Sequence, residues 1–156
     1  MDKIDSLNQV AKFHTTFKHP ILATPQIPAA SRCELRVSLL QEELNELKEA
    51  IENNDLVEVA DALCDIQYVL SGAVLEFGMG NKFVELFNEV QRSNMSKACK
   101  TLEEAEETVA HYKERKGESA HIEEDNGLFL VYRDGDKKTL KSIGYSPADL
   151  KGILVK

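Results

Sequence analysis

The sequence predicts a mainly helical fold with a small β-hairpin near its C-terminal end. Four long segments space their apolar residues three or four positions apart, as one face of an α-helix requires, and a strand-type run appears only at 128–132. The 156 residues suit one domain with at most a small appendage. The formal net charge of −8 argues against binding of nucleic-acid polymers, which calls for a basic surface.

Breaks between the apolar patterns separate the predicted helices. The first helix must end before Pro20, because proline has no amide hydrogen to donate, and Pro20, Pro25 and Pro28 together predict an extended loop. Thr101 and Glu104 have the spacing of a capping box for a shorter polar helix. After the first segment, helices are expected at about 30–51 with Ser31 as its cap, 56–77, 82–96 and 102–115.

The C-terminal part has a different pattern. The run 128–132 predicts a strand, Asp134-Gly135 predicts a turn, and 137–143 is expected to return as the second strand. Ser146 and Pro147 resemble the cap and first position of a last short helix. The expected organisation is therefore a helical domain at 1–115, with a hairpin and short helix at 116–156 packed on it.

The segment from Glu42 to Asp65 holds nine acidic residues and one base, Lys48. Glu42, Glu43 and Glu46 continue the apolar stripe of the second helix, and Glu58, Asp61 and Asp65 form one row on a third helix that is apolar nearly all round. Buried carboxylates are costly unless a cation compensates them. The pattern therefore indicates a carboxylate-lined Mg²⁺ or Mn²⁺ site, although a merely solvated acidic face is the alternative.

A second polar cluster lies near the end of the fourth helix. Arg92, Asn94 and Lys97 can bind phosphate or a base edge, although basic residues there also compensate a helix dipole. His14 flanks the proline loop and can touch a ligand, although an ordinary surface or core histidine fits equally. The three cysteines are widely spaced and are expected to be packing residues in a reducing compartment, the cytoplasm.

These motifs resemble those of the all-α nucleoside triphosphate pyrophosphohydrolases, which include MazG-like proteins, dimeric all-α dUTPases and phosphoribosyl-ATP pyrophosphohydrolase. Their signature, Glu-Glu-x-x-Glu, a spacer and Glu-x-x-Asp, is matched here by Glu42-Glu43-Leu-Asn-Glu46 and Glu58-Val-Ala-Asp61. The phosphoribosyl-ATP pyrophosphohydrolase-like branch looks nearest, because the chain also has Phe13-His14, His19-Pro20, Ser93-Asn94-Met95-Ser96-Lys97 and Tyr145-Ser-Pro-Ala-Asp-Leu150.

The resemblance implies a MazG-like helical bundle completed by dimerisation, as a homodimer or a dimer of dimers. It implies a Mg²⁺-dependent enzyme that cleaves the α–β phosphoanhydride of a (deoxy)nucleoside triphosphate into a monophosphate and pyrophosphate. The alternatives are phosphoribosyl-ATP hydrolysis in histidine synthesis and a non-catalytic helical binding module. The implied roles are catalysis by Glu42 and Glu43, metal binding by Glu43, Glu46, Glu58, Asp61 and Asp65, and substrate binding by His14, Arg92, Asn94 and Lys97. Which of Glu58, Asp61 and Asp65 bind metal directly stays open.

Overall fold

The structure is a computed structural model that describes residues 4–155. The described chain is mostly helical, with one small antiparallel sheet of two strands. The helices are α1 (Ser6–Phe17), α2 (Ala30–Glu52), α3 (Leu56–Glu76), α4 (Phe83–Met95), α5 (Leu102–Lys116) and α6 (Leu150–Leu154), and the strands are β1 (Ala120–Asp125) and β2 (Leu128–Arg133). No described helix has the length and apolar character needed to span a membrane.

Contacts divide the chain into two compact units, with the division between Phe83 and Val84. In the first unit, α2 packs along α3, and α1 packs on α3. A short turn joins α2 to α3, with Asn54 at a left-handed φ of 53°. The side chain of Asp55 then caps α3 by accepting hydrogen bonds from the amides of Val57 (3.0 Å) and Glu58 (3.2 Å). This tight connection and the packing of α2 along α3 bring the two acidic helices side by side.

The proline loop between α1 and α2 has no helix or strand, as predicted, and it is tied to the end of α3. The amide of Leu22 donates to Leu75 O at 3.1 Å, and that of Gln26 donates to Phe77 O at 3.1 Å. Gly78 has a φ of +70°, and a Cβ atom there would lie 1.9 Å from Thr24 O. Only glycine fits this close approach.

The second unit builds its core between α5 and the hairpin. Its buried apolar residues are Cys99, Ala105, Tyr112, Val131 and Leu140. The hairpin pairs Ala120 with Arg133 and Asp125 with Leu128. Because α5 packs against both strands, the compact unit places α5 with the hairpin, whereas the sequence suggested a division at 115. That division into domains stays a prediction.

The hairpin has a different partner strand from the one predicted. The run 128–132 is a strand, but it pairs with β1 across Asn126-Gly127, where both residues have positive φ angles of 51° and 77°. This is the conformation of a tight two-residue hairpin turn. The predicted return strand 137–143 is wrong, because it forms only one isolated bridge, between Thr139 and Tyr132.

Two predicted helix caps are also wrong. Ser31 lies inside the first turn of α2, and Ala29 occupies the cap position without a side-chain hydrogen bond. The last helix begins after Asp149, whose carboxylate accepts from the amide of Gly152 at 2.9 Å, so Ser146 is not its cap. Thr101 does cap α5, since its hydroxyl accepts from the amide of Glu104 at 3.1 Å.

The predicted burial of α3 holds mainly for its C-terminal half, with Ala62 the buried residue of the N-terminal half. Val74, Leu75 and Glu76 are buried, whereas Leu56 and Val57 are more than 70% exposed and Leu63 is half exposed. Of the three cysteines expected to be packing residues, Cys99 is buried, but Cys64, on α3, is exposed. Within residues 4–83, the packing of α1 and α2 on α3 leaves part of this apolar helix exposed.

Candidate active site

A pocket with a volume of about 290 Å³ lies between α1, α2 and α3, beside the start of the proline loop. Its lining includes two carboxylates, Glu43 from α2 and Asp65 from α3. It also includes one arginine, Arg36, and four side-chain rings, those of Phe13, His14, His19 and Tyr68. The pocket therefore combines negative charge, a buried guanidinium and aromatic surface within the first unit.

Glu43 is the electrostatically unusual acid of this pocket. Its Oε2 atom is buried without a hydrogen-bond partner among the described residues. Burial, followed by the charges of Asp65, Glu46, Glu42 and Asp61, raises the pKa of the Glu43 carboxyl. The acids of α2 and α3 are therefore close enough to repel one another through Glu43, as the spacing on the two helices predicts.

The other predicted acids are less buried than the sequence suggested. Asp65 is half-buried, whereas Glu42, Glu46, Glu58 and Asp61 are exposed, so the expectation of a dry carboxylate cluster is wrong for these four residues. Their helical positions leave one side of the acidic rows facing solvent.

The acidic residues have the chemistry to bind a divalent cation, but their side chains are not arranged around one common position. The unpaired Glu43 oxygen and its repelling neighbours form an all-oxygen donor set of the kind that Mg²⁺ and Mn²⁺ prefer. Within residues 4–155, however, no group of three His, Cys, Asp or Glu side chains is arranged to hold a metal ion. Closing such a site requires rotation of the exposed carboxylates, which long side chains on a solvent-facing helix can undergo.

A buried ionic network adjoins the pocket. Glu76, at the end of α3, is fully buried and accepts hydrogen bonds from Arg32 and Arg36 of α2. Burial alone would raise the pKa of Glu76, but the two arginines outweigh it and hold that pKa below its usual value. Arg36 also lies 3.4 Å from the Nε2 atom of His14, and its Nε atom has no partner among the described residues.

His14 lies inside the fold, at the pocket wall. The side chain is 2% exposed, and its Nδ1 atom lies 2.9 Å from Pro20 O, so Nδ1 carries the hydrogen and donates it to that carbonyl. Burial lowers the pKa of His14, which keeps the ring neutral. That His14 contacts a ligand stays a prediction, and the residue lies in the same pocket as Glu43 and Asp65.

The three predicted phosphate-binding residues belong to the second unit. Asn94 is exposed, and its Oδ1 atom accepts a hydrogen bond from Lys97 Nζ at 2.8 Å, so these two side chains do come together. Arg92 instead donates two 2.8 Å hydrogen bonds to Glu89 and one of 3.0 Å to Pro147 O. Through these contacts, Arg92 attaches the C-terminal segment to α4.

Sequence reasoning missed Arg36, Glu76, Phe13 and Tyr68 as parts of this region. A usable signal existed for Arg36, because it lies seven residues before Glu43 and therefore on the same face of α2. Glu76 is an acidic residue at the end of a long apolar stretch of α3, where its carboxylate can pair with a buried arginine. For the two aromatic residues no signal distinguished pocket lining from ordinary core packing.

Comparison with known proteins bears on the whole of this region. A family model described as phosphoribosyl-ATP pyrophosphohydrolase matches residues 10–94, more than half of the chain. This chain belongs to that family. The match includes α1, α2, α3 and the acidic rows, and it confirms the resemblance to the MazG-like all-α nucleoside triphosphate pyrophosphohydrolases that the motifs indicated.

Membership in the phosphoribosyl-ATP pyrophosphohydrolase family supports a hydrolase that acts on a nucleotide pyrophosphate bond. The chain is also similar to an uncharacterized protein of Acanthamoeba polyphaga mimivirus. The identity is 25%, and the alignment covers 90% of this chain and 92% of the relative. The name of that relative gives no activity, so the functional argument rests on the family match.

Proposed function

We propose that this protein is a Mg²⁺-dependent nucleotide pyrophosphohydrolase that cleaves the α–β phosphoanhydride of a (deoxy)nucleoside triphosphate. The observation that carries the proposal is the unpaired, buried Glu43 oxygen beside Asp65 in a family of pyrophosphohydrolases. A carboxylate left in this state is stabilised by a cation, and a cation bound to carboxylates is what a triphosphate needs in order to approach an acidic surface.

In the proposed reaction, a water oxygen bonds to the α phosphorus, and the bond between that phosphorus and the α–β bridging oxygen breaks. Pyrophosphate leaves with the electron pair, and the water proton passes to a carboxylate. Glu43, Glu46, Asp61 and Asp65 are the proposed metal-holding residues, with Glu58 beside them. The bound ion supplies charge neutralisation and activation of water. Glu42 is exposed next to Glu43 and is proposed to orient the water.

The decisive experiment incubates the full chain with Mg²⁺ and each of the ribo- and deoxyribonucleoside triphosphates, and measures pyrophosphate release. We expect release that a chelator abolishes, and a loss of at least about 100-fold in Glu43→Gln. Glu34→Gln is the matched control, because Glu34 is an exposed acid on the same helix that does not line the pocket. Well-folded protein that releases no pyrophosphate from any nucleotide would refute the proposal.

Phosphoribosyl-ATP is the second candidate substrate, and the description of the matching family favours it. Both substrates present the same α–β anhydride, so the carboxylates alone do not choose between them. Adding phosphoribosyl-ATP to the panel and comparing kcat/KM separates the two activities. A non-catalytic binding module, the third possibility, predicts that Glu46→Gln changes stability or partner binding while the wild type consumes no nucleotide.

We also propose that the protein is a homodimer or a dimer of dimers, located in the cytoplasm. Six apolar side chains of α2 and α3 are more than half exposed: Val37, Leu44, Ile51, Leu56, Val57 and Leu63. Exposed apolar surface of this extent commonly marks a protein interface. Light scattering of the wild type should give at least twice the chain mass, and Leu44→Glu should lower it.

The cysteines are free thiols, in keeping with a reducing compartment.

A further inference from the structure

We infer that the aromatic part of the pocket between α1, α2 and α3 receives the base of the nucleotide, with Arg36 donating a hydrogen bond to an acceptor atom on that base. The inference rests on the proposed function, since it assigns a place for one part of the proposed substrate. It concerns residues for which that function has no role so far: Phe13, Tyr68, His19 and Arg36.

The rings of the pocket present aromatic surface that the protein itself does not cover. Phe13 stacks on His19 with 5.8 Å between ring centroids and an interplanar angle of 17°, and it meets Tyr68 edge-on at 5.6 Å and 83°. Phe13 is 37% exposed and Tyr68 is 39% exposed. A planar heteroaromatic ring can stack on such a surface whatever its substituents, as nucleobases do on aromatic side chains.

Arg36 supplies the polar element of the same pocket. Its side chain is more than nine-tenths buried, and its Nη2 atom contacts Glu76 and His14, yet its Nε atom has no hydrogen-bond partner among the described residues. A buried donor without an acceptor is costly, so a ligand that brings an acceptor gains affinity. Nucleobases carry carbonyl oxygens and ring nitrogens that arginine recognises.

The spacing along α2 connects this region to the acidic residues. Arg36 and Glu43 lie on one face of the helix, seven residues and therefore about 10 Å apart along its axis. Tyr68 follows Asp65 by three residues on α3, so it lies on the same face one turn farther along. A ribose can bridge this separation, which lets the triphosphate reach Glu43 and Asp65 while the base remains among the rings.

A neutral ring suits the pocket better than a phosphate group does. Arg32, Arg36 and Glu76 together carry one positive charge, and the pocket also holds the carboxylates of Glu43 and Asp65, so the region is net negative when both are ionised and would repel a further anion. The volume of about 290 Å³ is at the lower end of the range for small-molecule pockets, which is enough for a base but not for a whole nucleoside triphosphate. The phosphates therefore belong at the mouth, near the exposed acids.

The first experiment measures nucleoside binding to the full chain without any reaction. Adenosine, guanosine, cytidine, uridine and thymidine are titrated while the ring signals of the aromatic residues are followed by NMR. We expect at least one nucleoside to shift the Phe13 and Tyr68 signals, and Phe13→Ala and Tyr68→Ala each to weaken its affinity about 10-fold. Tyr68→Phe should stay within about twofold, because it keeps the ring face. Phe87→Ala, on α4, is the control for loss of an exposed aromatic residue.

Arg36 has its own matched pair of variants. Arg36→Lys keeps a positive charge opposite Glu76 but removes Nε, and we expect it to weaken nucleoside binding about 10-fold. Arg32→Lys makes the same chemical change at a residue that also contacts Glu76 but does not line the pocket, so it should bind nucleosides as the wild type does. If Arg36→Lys fails to fold, the Phe13 and Tyr68 variants decide the question.

The second experiment separates this inference from the proposed function. The ratio of kcat/KM for the preferred nucleotide to that for inorganic tripolyphosphate, which has no base, should fall about 10-fold in Tyr68→Ala. If the wild type binds nucleosides but releases no pyrophosphate, the proposed function fails and the base pocket stands. If the wild type is active and both alanine variants keep its ratio and its nucleoside affinity, the base pocket is overturned. If Phe13→Ala and Tyr68→Ala change only the oligomeric state, the base pocket is also overturned, because the aromatic surface then binds a second copy of the chain.

Discussion

Arg36 of α2 and Glu76 of α3 form an ion pair in which the carboxylate is completely buried. Arg32, one helical turn earlier on α2, contacts the same carboxylate. The pair joins the beginning of α2 to the end of α3, at the wall of the pocket that contains Glu43 and Asp65. The stability of the first unit and the shape of its pocket therefore depend on the same side chains.

Removing the carboxylate from this network should be strongly destabilising. Glu76→Gln leaves two arginines near a buried site without a counter-charge, and we expect a loss of about 3–5 kcal/mol in the free energy of unfolding. Urea denaturation measures it. The control is Glu52→Gln, which removes an exposed pair with Lys48 at 3.7 Å and should cost less than about 0.5 kcal/mol. Equal losses in the two variants would contradict the importance of burial here.

Gly72 gives Arg36 and His14 the room they occupy. A Cβ atom at Gly72 would lie 2.7 Å from Arg36 Nη1 and 3.0 Å from His14 Nε2. Gly72→Ala gains helix propensity, worth about 1 kcal/mol, but it displaces a guanidinium that Glu76 holds in place, so we expect a net loss of about 1–2 kcal/mol.

Thermal unfolding of Gly72→Ala measures this loss, and Gly135→Ala serves as its control, because nothing lies within 4 Å of a Cβ atom there. The control should change stability by less than about 0.5 kcal/mol. A more stable Gly72→Ala variant would mean that Arg36 and His14 move aside freely, and that their arrangement is not held by the network.

The helical part of the fold follows from local patterns, and the hairpin shows where such patterns fail. The bounds of α2 to α5 lie within about two residues of the prediction, because apolar spacing, a proline and capping residues all coincide there. β1, with the sequence Ala-His-Ile-Glu-Glu-Asp, has little apolar alternation and is specified by its partner strand and by the Asn126-Gly127 turn. The prediction placed the hairpin turn at Asp134-Gly135, whereas the strands pair across Asn126-Gly127.

The acidic residues of the site were predictable from the sequence, but their degree of burial was not. Periodicity places Glu43 and Asp65 on facing helices, and the charges of Asp65, Glu46, Glu42 and Asp61 do act on Glu43. The degree of burial was not predictable, because it depends on what covers α3, and the apolar residues of that helix do not say whether the cover comes from the same chain. Arg36 was missed because its importance comes from Glu76, forty residues away.

The attachment of α6 to α4 should depend on pH through Glu89. The guanidinium of Arg92 and the backbone amide of Asp149 hold the pKa of the Glu89 carboxyl down to about 2. Because the folded pKa is lowered from 4.5, this group adds stability above pH 4.5, and that contribution disappears as the pH falls through 2. Urea unfolding across this range should show a flatter pH dependence in Glu89→Gln than in the wild type, whereas Glu106→Gln, on an exposed position of α5, should retain the wild-type slope.

The clearest test of the acidic site sets stability against metal binding at Glu43. Burial and the nearby charge of Asp65 raise the pKa of Glu43 above 4.5, so the ionised carboxylate opposes folding. This penalty is absent below pH 4.5 and grows as the pH rises through the folded pKa. Without metal, Glu43→Gln should therefore be more stable than the wild type at about pH 7 and similar to it at about pH 4.

Mg²⁺ should reverse this order, because an ion that binds only the folded state raises its stability according to its concentration and affinity. We expect millimolar Mg²⁺ to raise the melting temperature of the wild type and to leave that of Glu43→Gln unchanged. Glu34→Gln, on the same helix, should respond to Mg²⁺ as the wild type does. If Glu43→Gln is less stable than the wild type in the absence of metal, the carboxylate is already compensated within the protein, and the main reason to place a cation beside it is removed.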